Sequence, residues 1–306
     1  MRRPLVSVIV PNYNYARFLP KRLETILNQT YTNFEVIILD DCSSDNSKEI
    51  IEYYRKNPHT SQIVYNTHNS GSPFKQWHKG LQLAKGELIW IAETDDYCEL
   101  NFLEELIKGF NKSPDIVMTY SNLWIVNSSG NILEKETTEH CHNIPSTSPI
   151  YRGIDFIKER MLKHCSVCNA SSVLFKRETA LSISTQYTYY KSAGDYLFWI
   201  LLAEKGNVVK IDIPLDYFRQ HSTSVTPKSY LNGTTYIEDY YIHRYLWKKK
   251  HLQGRIGFST YLQKLENIMY YIDVDPNVRN KVLRVWNKYK LFNKYTMALC
   301  WKIIKS

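Results

Sequence analysis

The chain has 306 residues, of which 43% are apolar and 23% charged, and this balance excludes a disordered chain, a collagen-like chain and a small disulfide-rich scaffold. The net charge is +9, and residues 241–306 alone carry 14 Lys and Arg against 3 Asp and Glu. A near-neutral body with a basic C-terminal end predicts contact between that end and an anionic surface, and it argues against a nucleic-acid partner.

Buried-strand patterns alternate with helical periodicity over residues 5–120. The predicted strands cover residues 5–10, 34–39, 63–65, 88–92 and 116–120. The predicted helices cover residues 17–29, 74–84 and 100–110, together with a segment capped by Asp45 or Asn46. Because this alternation requires crossover connections, we predict an α/β fold with a Rossmann-like, mostly parallel sheet flanked by helices.

The pattern changes beyond residue 122. Residues 124–126 and 132–133 flank an Asn-Ser-Ser-Gly turn and predict a hairpin, whereas residues 134–150 are polar and predict a loop. A helix at 155–162, a strand at 172–175, a helix at 195–204 and strands at 208–211 and 215–218 follow. From about residue 230 the spacing is helical, and Asp275-Pro276 is typical of a helix start. We therefore predict one domain over 1–225 and a basic, mainly helical C-terminal extension over 226–306.

The N-terminal segment MRRPLVSVIVPNYN carries two arginines before an apolar stretch. That stretch is interrupted by Ser7 and ends at Pro11 without a small-residue cleavage site, so it predicts a strand and not a signal peptide. The longest apolar runs of the chain are too short to span a bilayer. We therefore expect a cytoplasmic protein.

Two of the six cysteines, Cys165 and Cys168, lie close together in the sequence. A zinc site is one interpretation of this pair, because Cys141 and three histidines are nearby. The irregular spacing of the cysteines and the β-like segment after Cys168 favour buried thiols instead.

Candidate binding residues, most of them polar, follow three of the predicted strands at the points where the strands end. They are Pro11, Asn12 and Tyr13 after the first strand, Asp40 and Asp41 after the second, and Glu93, Asp95 and Asp96 after the fourth. Ligands of open parallel sheets bind beyond these carboxyl ends, so we expect the carboxylates to share one edge. Carboxylates without a cluster of His or Cys favour Mg²⁺ or Mn²⁺, which typically completes its shell with substrate phosphates.

The expected ligand is therefore a diphosphate-containing molecule. No GxGxxG follows the first strand and no GxxxxGK[ST] occurs, which argues against a dinucleotide fold and against a P-loop. An Asp pair after a strand can also serve only to close a turn and cap a helix. Two such pairs at one predicted edge favour the ligand site over this alternative.

Three segments together resemble the family 2 glycosyltransferases, which are inverting enzymes of the GT-A fold. They are VSVIVPNYN, which ends at Asn14, FEVIILDDCSSDNS at 34–47, and AKGELIWIAETDDY at 84–97. The resemblance covers about residues 1–225. It implies a nucleotide-sugar-binding half over 1–122 and an acceptor-binding half over 123–225.

The resemblance also implies roles for individual residues. The second aspartate after strand two contacts the nucleobase, often uracil, in that family, and this position is Asp41. The metal-binding D-x-D element corresponds to Glu93-Thr94-Asp95, which makes Asp95 the expected metal ligand. The catalytic base of the family corresponds to Asp195, with Gly194 where a Glu is usual. A carboxylate that only complements the dipole of a helix N-terminus is the alternative for Asp195.

Two further segments match the family less completely. The run from Tyr217 to Ser224 resembles a family segment, Arg-x-His-x-x-Ser, that closes over the diphosphate. It implies that Arg219 pairs with phosphate and that His221 approaches the metal or a phosphate. Residues 69–71 and 75–77 occupy the region of the family's N-x-G…R-N loop, and no role is assigned to them.

The expected function is thus sugar transfer from a nucleotide-diphospho-sugar, with UDP as the expected nucleotide, to a hydroxyl of a glycan or lipid-linked acceptor. The expected mechanism is a single displacement assisted by Mn²⁺ or Mg²⁺, with Asp195 as the base. The resemblance suggests synthesis of a bacterial capsule, O-antigen or exopolysaccharide. The alternative is a non-catalytic nucleotide- or glycan-binding partner protein with a degenerate GT-A fold.

The basic C-terminal end has two interpretations. Residues 277–305 predict an amphipathic helix with Lys281, Arg284 and Lys288 outside its apolar stripe. Such a helix either lies on an anionic membrane, as a peripheral attachment at the inner face of the plasma membrane, or packs against the body of the protein.

Overall fold

The computed structural model describes residues 3–133, 150–221, 225–252, 259–260, 263–268 and 274–288. They form two compact units. The larger unit contains residues 1–190 and 194–222, and the C-terminal unit contains residues 191–193 and 223–306. The predicted loop at 134–150 and the end of the predicted helix at 277–305 lie mostly outside the described residues.

Nine strands of the described residues form one sheet in the larger unit. They are β1 (Val6–Asn12), β2 (Phe34–Asp40), β3 (Thr60–Tyr65), β4 (Leu88–Ile91), β5 (Tyr97–Cys98), β6 (Ile116–Val126), β7 (Ile150–Tyr151), β8 (Val173–Lys176) and β9 (Asn207–Arg219). Their order is β3-β2-β1-β4-β8-β6-β9-β5, with β7 paired to β9. The first four strands are parallel, as predicted. In the second half of the sheet, β8 runs antiparallel to both neighbours, while β6 and β9 are parallel.

Helices of the larger unit flank this sheet, and the C-terminal unit has helices of its own. They are α1 (Leu19–Leu27), α2 (Ser47–Tyr53), α3 (Pro73–Leu83), α4 (Phe102–Phe110), α5 (Gly153–Arg160), α6 (Arg177–Ser182), α7 (Gly194–Ala203), α8 (Val225–Leu231), α9 (Thr234–Lys248) and α10 (Pro276–Lys288). The central strands β1, β2 and β4 are buried along their whole length, because helices cover both faces of a parallel sheet.

Strand β9 differs from the prediction, which divided it into two strands. The middle of the strand, where Asp212 and Ile213 are exposed, is accommodated by irregular register against β6, so the strand continues from Asn207 to Arg219. Strand β6 likewise continues to Val126, and a bridge from Val126 to Ile132 forms the predicted hairpin.

The C-terminal unit is helical in its described part, and its helices pack through aromatic and aliphatic side chains. Val282 and Trp286 of α10 are 0% and 1% exposed and belong to a cluster with Tyr240 of α9. Lys281 and Arg284 are exposed. The apolar stripe of α10 is therefore buried against other helices of the C-terminal unit. Among the described residues, no helix has the length and hydropathy needed to cross a bilayer.

Candidate functional site

The loops after β1 and β2 are joined by hydrogen bonds between polar side chains. Asn12 Nδ2 donates to Asp40 Oδ2 at 3.2 Å and to Ser43 Oγ at 3.2 Å. The Asp40 carboxylate also accepts the backbone N–H of Ser43 at 2.9 Å. Asn12 and Asp40 are buried, whereas Tyr13 in the same loop is 47% exposed. Of these three predicted donor-binding residues, only Tyr13 presents its side chain to solvent.

Asp41 is bound by protein donors on both carboxylate oxygens. Its Oδ1 accepts hydrogen bonds from Asn66 Nδ2 at 2.6 Å and from Gln76 Nε2 at 2.8 Å. Its Oδ2 accepts Ser70 Oγ at 2.7 Å, and the Ser70 backbone N–H lies 2.9 Å from Oδ1. This carboxylate therefore orders the loop that carries Ser70. Its predicted contact with a nucleobase stays a prediction.

The loop after β4 is fixed to β1 and to α3. Thr94 Oγ1 donates to the carbonyl oxygen of Pro11 at 2.7 Å, which joins two predicted site loops. Trp77 Nε1 of α3 donates to Glu93 Oε1 at 2.7 Å. Glu93 is the residue that replaces the usual Asp, and its longer side chain carries the carboxylate to the indole.

Asp96 is buried in a network that connects the loop after β4 to the end of β9. Asn169 Nδ2 donates to Asp96 Oδ2 at 2.7 Å and to Asp216 Oδ2 at 2.9 Å. Ser171 Oγ donates to Asp96 Oδ2 at 2.7 Å, and the Arg219 backbone N–H donates to Asp96 Oδ1 at 2.9 Å. The geometry gives Asp96 a positioning role, and its predicted contact with the donor stays a prediction.

Asp95 and His221, the two predicted metal ligands, lie side by side. The distance from His221 Nε2 to Asp95 Oδ2 is 3.0 Å. The imidazole is buried, with its ring centroid 5.4 Å from that of Tyr15 and 5.1 Å from that of Phe18, while the Asp95 side chain is 16% exposed. The two residues are 126 positions apart in the sequence, so the fold brings them together.

Arg219 is turned into the protein. Its Nε donates to the carbonyl oxygen of Asp95 at 2.7 Å, and its Nη1 donates to the carbonyl oxygens of residues 127 and 128 at 3.2 and 3.0 Å. Its guanidinium also lies 4.9 Å from the ring centroid of Phe18. The side chain thus holds the Asp95 loop in place, and its predicted pairing with phosphate stays a prediction.

Asp195 occupies the first turn of α7 and is partly exposed. The preceding Gly194 is packed so closely that a Cβ there would lie 2.4 Å from a ring carbon of Phe74. The Glu that is usual at this position would not fit beside Phe74. The predicted role of Asp195 as a base stays a prediction.

Burial and mutual repulsion perturb the acidic groups of this region. Burial, followed by the charge on Asp95, raises the pKa of Glu93 to about 8, while the hydrogen bond from Trp77 opposes the shift. Burial and then Asp95 also raise the pKa of Asp96 to about 6. Burial and the same acidic loop raise the pKa of the Tyr15 hydroxyl. The local excess of negative charge is of the kind that a bound cation offsets.

Asp95 and His221 suit a divalent cation that takes only one or two of its ligands from the protein. They offer a carboxylate oxygen and an imidazole nitrogen, and within the described part of the chain no set of three or more His, Cys, Asp or Glu forms a complete metal cluster. Mg²⁺ and Mn²⁺ are commonly held by one or two protein groups together with substrate phosphates. The pair therefore suits an ion that is bound together with a diphosphate.

Sequence reasoning missed several residues that build this site. Tyr15, Gln76, Trp77, Asn169 and Asp216 all contact or surround the predicted carboxylates. Residues 75–77 were noted in the sequence without a role, although the side-chain N–H donors of Gln76 and Trp77 on an amphipathic helix were a usable signal. Asn169 gave none, because its partners lie in distant parts of the sequence.

The cysteine pair does not form a zinc site. Cys165 is not part of a disulfide and its thiol donates to the carbonyl oxygen of Val167, whereas Cys168 is disulfide-bonded. The preference for buried thiols is therefore wrong for Cys168. The zinc interpretation is wrong for it as well, because a disulfide sulfur is not a thiolate ligand.

Comparison with known proteins places the chain among glycosyltransferases. The sequence model described as "Glycosyl transferase family 2" matches residues 7–171. The glycosyltransferase GlyG of Streptococcus pneumoniae is 36% identical over 37% of this chain, and TuaG of Bacillus subtilis, named for teichuronic acid biosynthesis, is 29% identical over 44%. The matched stretches span only 38% of GlyG and 52% of TuaG. An uncharacterized glycosyltransferase of Methanocaldococcus jannaschii is 27% identical over 92% of this chain and 93% of its own length.

Solved structures share the fold at low sequence identity. TarS of S. aureus in complex with UDP-GlcNAc superposes with a TM-score of 0.60 and 17% identity, over 92% of this chain and 71% of TarS. The mannosyltransferase PcManGT of Pyrobaculum calidifontis, in complex with GDP-Man and Mn²⁺, gives a TM-score of 0.57 and 14% identity, over 97% and 83% of the two chains. The predicted α/β fold of the GT-A type is thereby confirmed.

Proposed function

The chain belongs to glycosyl transferase family 2, and from this premise we propose that it transfers a sugar from a UDP-sugar to a hydroxyl of a glycan or lipid-linked acceptor, with inversion at the anomeric carbon. The observation that carries this proposal is the pairing of Asp95 with His221 at 3.0 Å, within an excess of buried acidic groups. A nucleotide diphosphate and its cation have the charge that complements such a pair.

The chain's own residues have separate tasks in this reaction. The carboxylate of Asp195 accepts the proton of the acceptor hydroxyl as that oxygen bonds to the anomeric carbon. The bond from the anomeric carbon to the diphosphate oxygen breaks on the opposite face, and its electron pair leaves with the nucleotide diphosphate. Arg219 and Asp96 hold the Asp95 loop rigid during this exchange.

Asp95 and His221 would hold Mn²⁺ or Mg²⁺, which supplies charge stabilisation for the departing diphosphate when bound. Mn²⁺ is present in the PcManGT complex, and UDP-GlcNAc is present in a TarS complex. The same proposal includes contacts between the nucleotide-sugar and the residues after β1, β2 and β4. These residues are Pro11, Asn12, Tyr13, Asp40, Asp41 and Glu93.

The proposed setting is the synthesis of a bacterial surface polysaccharide. Support comes from TuaG, which is named for teichuronic acid biosynthesis. We assign the reaction to the cytoplasmic side of the plasma membrane, where the basic C-terminal extension would meet anionic lipid and the lipid-linked acceptor.

Transfer from UDP-sugars in the presence of Mn²⁺ tests the proposal. We expect donor hydrolysis or transfer by the wild type, and a loss of kcat of about 10²–10⁴-fold in Asp195→Asn, because an amide does not accept the acceptor proton. UDP affinity, measured by calorimetry, should stay near the wild-type value in this variant.

Asp155→Asn is the matched control, because Asp155 also lies in the first turn of a helix but pairs with Arg152 at the surface. Inactivity of the wild type with all donors, together with retained UDP binding, would favour a non-catalytic nucleotide-binding partner. Equal kcat values for the wild type and Asp195→Asn would remove Asp195 from the role of base.

A further inference from the structure

Helix α3 contacts several predicted parts of the site through consecutive residues. Gln76 Nε2 donates to Asp41 Oδ1 at 2.8 Å, and Trp77 Nε1 donates to Glu93 Oε1 at 2.7 Å. His78 Nδ1 lies 3.1 Å from the Tyr187 hydroxyl oxygen. Two neighbouring side chains of one helix thus fix the carboxylates that follow β2 and β4.

Trp77 is suited to hold its partner in one place. It is 2% exposed, and its indole N–H finds its acceptor in Glu93. A buried indole is confined by its neighbours to one rotamer, and its single donor then aims in one direction. Glu93 has three side-chain torsions, so this hydrogen bond selects one of many carboxylate positions.

The same indole packs against the helix that carries the proposed base. The ring of Trp77 lies 5.8 Å from that of Phe198 and 5.9 Å from that of Trp199, both buried residues of α7. Phe74, one turn earlier in α3, fills the space that a side chain at Gly194 would need. Aromatic side chains of α3 therefore contact α7 at its start, through Phe74, and in its middle, through Trp77.

We propose that Trp77 is a positioning residue that holds the Glu93 carboxylate and the middle of α7 in one block, so that the donor loop and the helix that carries Asp195 keep a fixed spacing. This inference rests on the proposed function. It also explains why Glu stands at position 93, because an Asp there is one methylene too short to reach the indole.

Two variants test the hydrogen bond from opposite sides. Trp77→Phe keeps an aromatic ring but removes the donor, and Glu93→Asp restores the usual acidic residue but withdraws the acceptor. We expect each to weaken the binding of UDP with Mg²⁺ by about tenfold, the effect typical of losing a supporting contact. The double variant should be no weaker than the poorer single variant, because both changes remove one interaction.

A spectroscopic readout makes the test independent of turnover. The indole signal that disappears in Trp77→Phe identifies Trp77 in a ¹H–¹⁵N spectrum, and this signal should move in Glu93→Asp. Gly194→Ala should lower kcat while UDP affinity is retained, because it displaces α7 and leaves Glu93 bound. Trp286→Phe is the control, since it removes another buried, hydrogen-bonded indole in the C-terminal unit. It should leave UDP affinity unchanged.

The outcomes separate the inference from the proposed function. An active wild type whose Glu93→Asp variant keeps its UDP affinity and its Trp77 signal would overturn the inference alone. Additive losses in the double variant would also overturn it. A wild type that neither binds UDP nor uses any donor, while the Trp77 signal still moves in Glu93→Asp, would refute the proposed function and leave the hydrogen bond established.

Discussion

Glu93 places a largely buried carboxyl group beside the negative charge of Asp95, and this makes the stability of the fold depend on pH. The folded chain retains the Glu93 proton up to a pKa of about 8, whereas the reference value is 4.5. Between these values the folded state binds more protons than the unfolded state. Stability from this group is therefore complete at low pH and is lost as the pH rises toward 8.

We expect the free energy of unfolding, measured by urea titration in EDTA, to fall from pH 5 to pH 8. The Glu93 contribution should be about 1–2 kcal/mol after a discount for its partial exposure. Glu93→Gln should flatten this dependence, and Glu49→Gln, which removes an exposed carboxyl group, is the control. An equally steep decline in Glu93→Gln would contradict the assignment.

Site residues were predictable where they follow the end of a predicted strand or match a motif of the family. The resemblance indicated Asp95 and His221, and the fold places them in contact. The supporting partners were not predictable, because Asn169 reaches Asp96 across 73 positions, and Asp216 lies in a predicted strand where nothing in the sequence indicates its partner. The inward direction of Arg219 also depends on carbonyl groups of a loop, which carry no side-chain signal.

Elements were predicted most reliably where apolar runs are fully buried. Strands β1, β2 and β4 follow the prediction closely, because helices on both faces impose continuous apolar sequence. Strand β3 is only partly buried and begins three residues before its predicted start. Strand β9 was divided in error, since its exposed middle breaks the apolar pattern while its backbone still pairs with β6. The antiparallel placement of β8 has no local signature in the sequence.

Helix α9 shows how one side chain can organise a neighbouring segment within the C-terminal unit. The buried carboxylate of Glu238 accepts the backbone N–H groups of Lys191, Ser192 and Ala193 at 2.7, 2.9 and 2.8 Å. A charged acceptor shared by three successive donors is stronger than a neutral one.

Glu238→Ala should therefore destabilise the protein by about 2–4 kcal/mol, because it leaves buried donors unpaired. Thermal unfolding by calorimetry measures the effect. Glu266→Ala, which removes an exposed carboxylate of the same unit, is the matched control. Equal unfolding temperatures for the two variants would show that the three hydrogen bonds contribute nothing.

At the scale of the whole molecule, the net positive charge is concentrated in residues 241–306, which contain 14 Lys and Arg against 3 Asp and Glu. Within the described part of α10, apolar residues pack internally while Lys281 and Arg284 face solvent. Any attachment of this helix to a membrane surface would then depend on charge and not on insertion of its apolar stripe.

We expect the full chain to float with anionic liposomes at low salt and to be released at about 0.5 M salt, where charges are screened within a few ångströms. Lys281→Glu combined with Arg284→Glu should reduce flotation. Lys21→Glu combined with Lys112→Glu, two exposed residues of the larger unit, is the control. Flotation that is insensitive to salt and to both charge reversals would exclude this mode of attachment.

The order of the sheet also bears on how the chain is made. Strand β4 is complete at Ile91, but its second neighbour, β8, begins only at Val173. A ribosome must therefore synthesise about 80 further residues before the apolar edge of β4 is covered. Nascent chains of intermediate length expose that edge to pairing with other chains. Chaperones and a lower growth temperature should therefore improve recovery of the native protein.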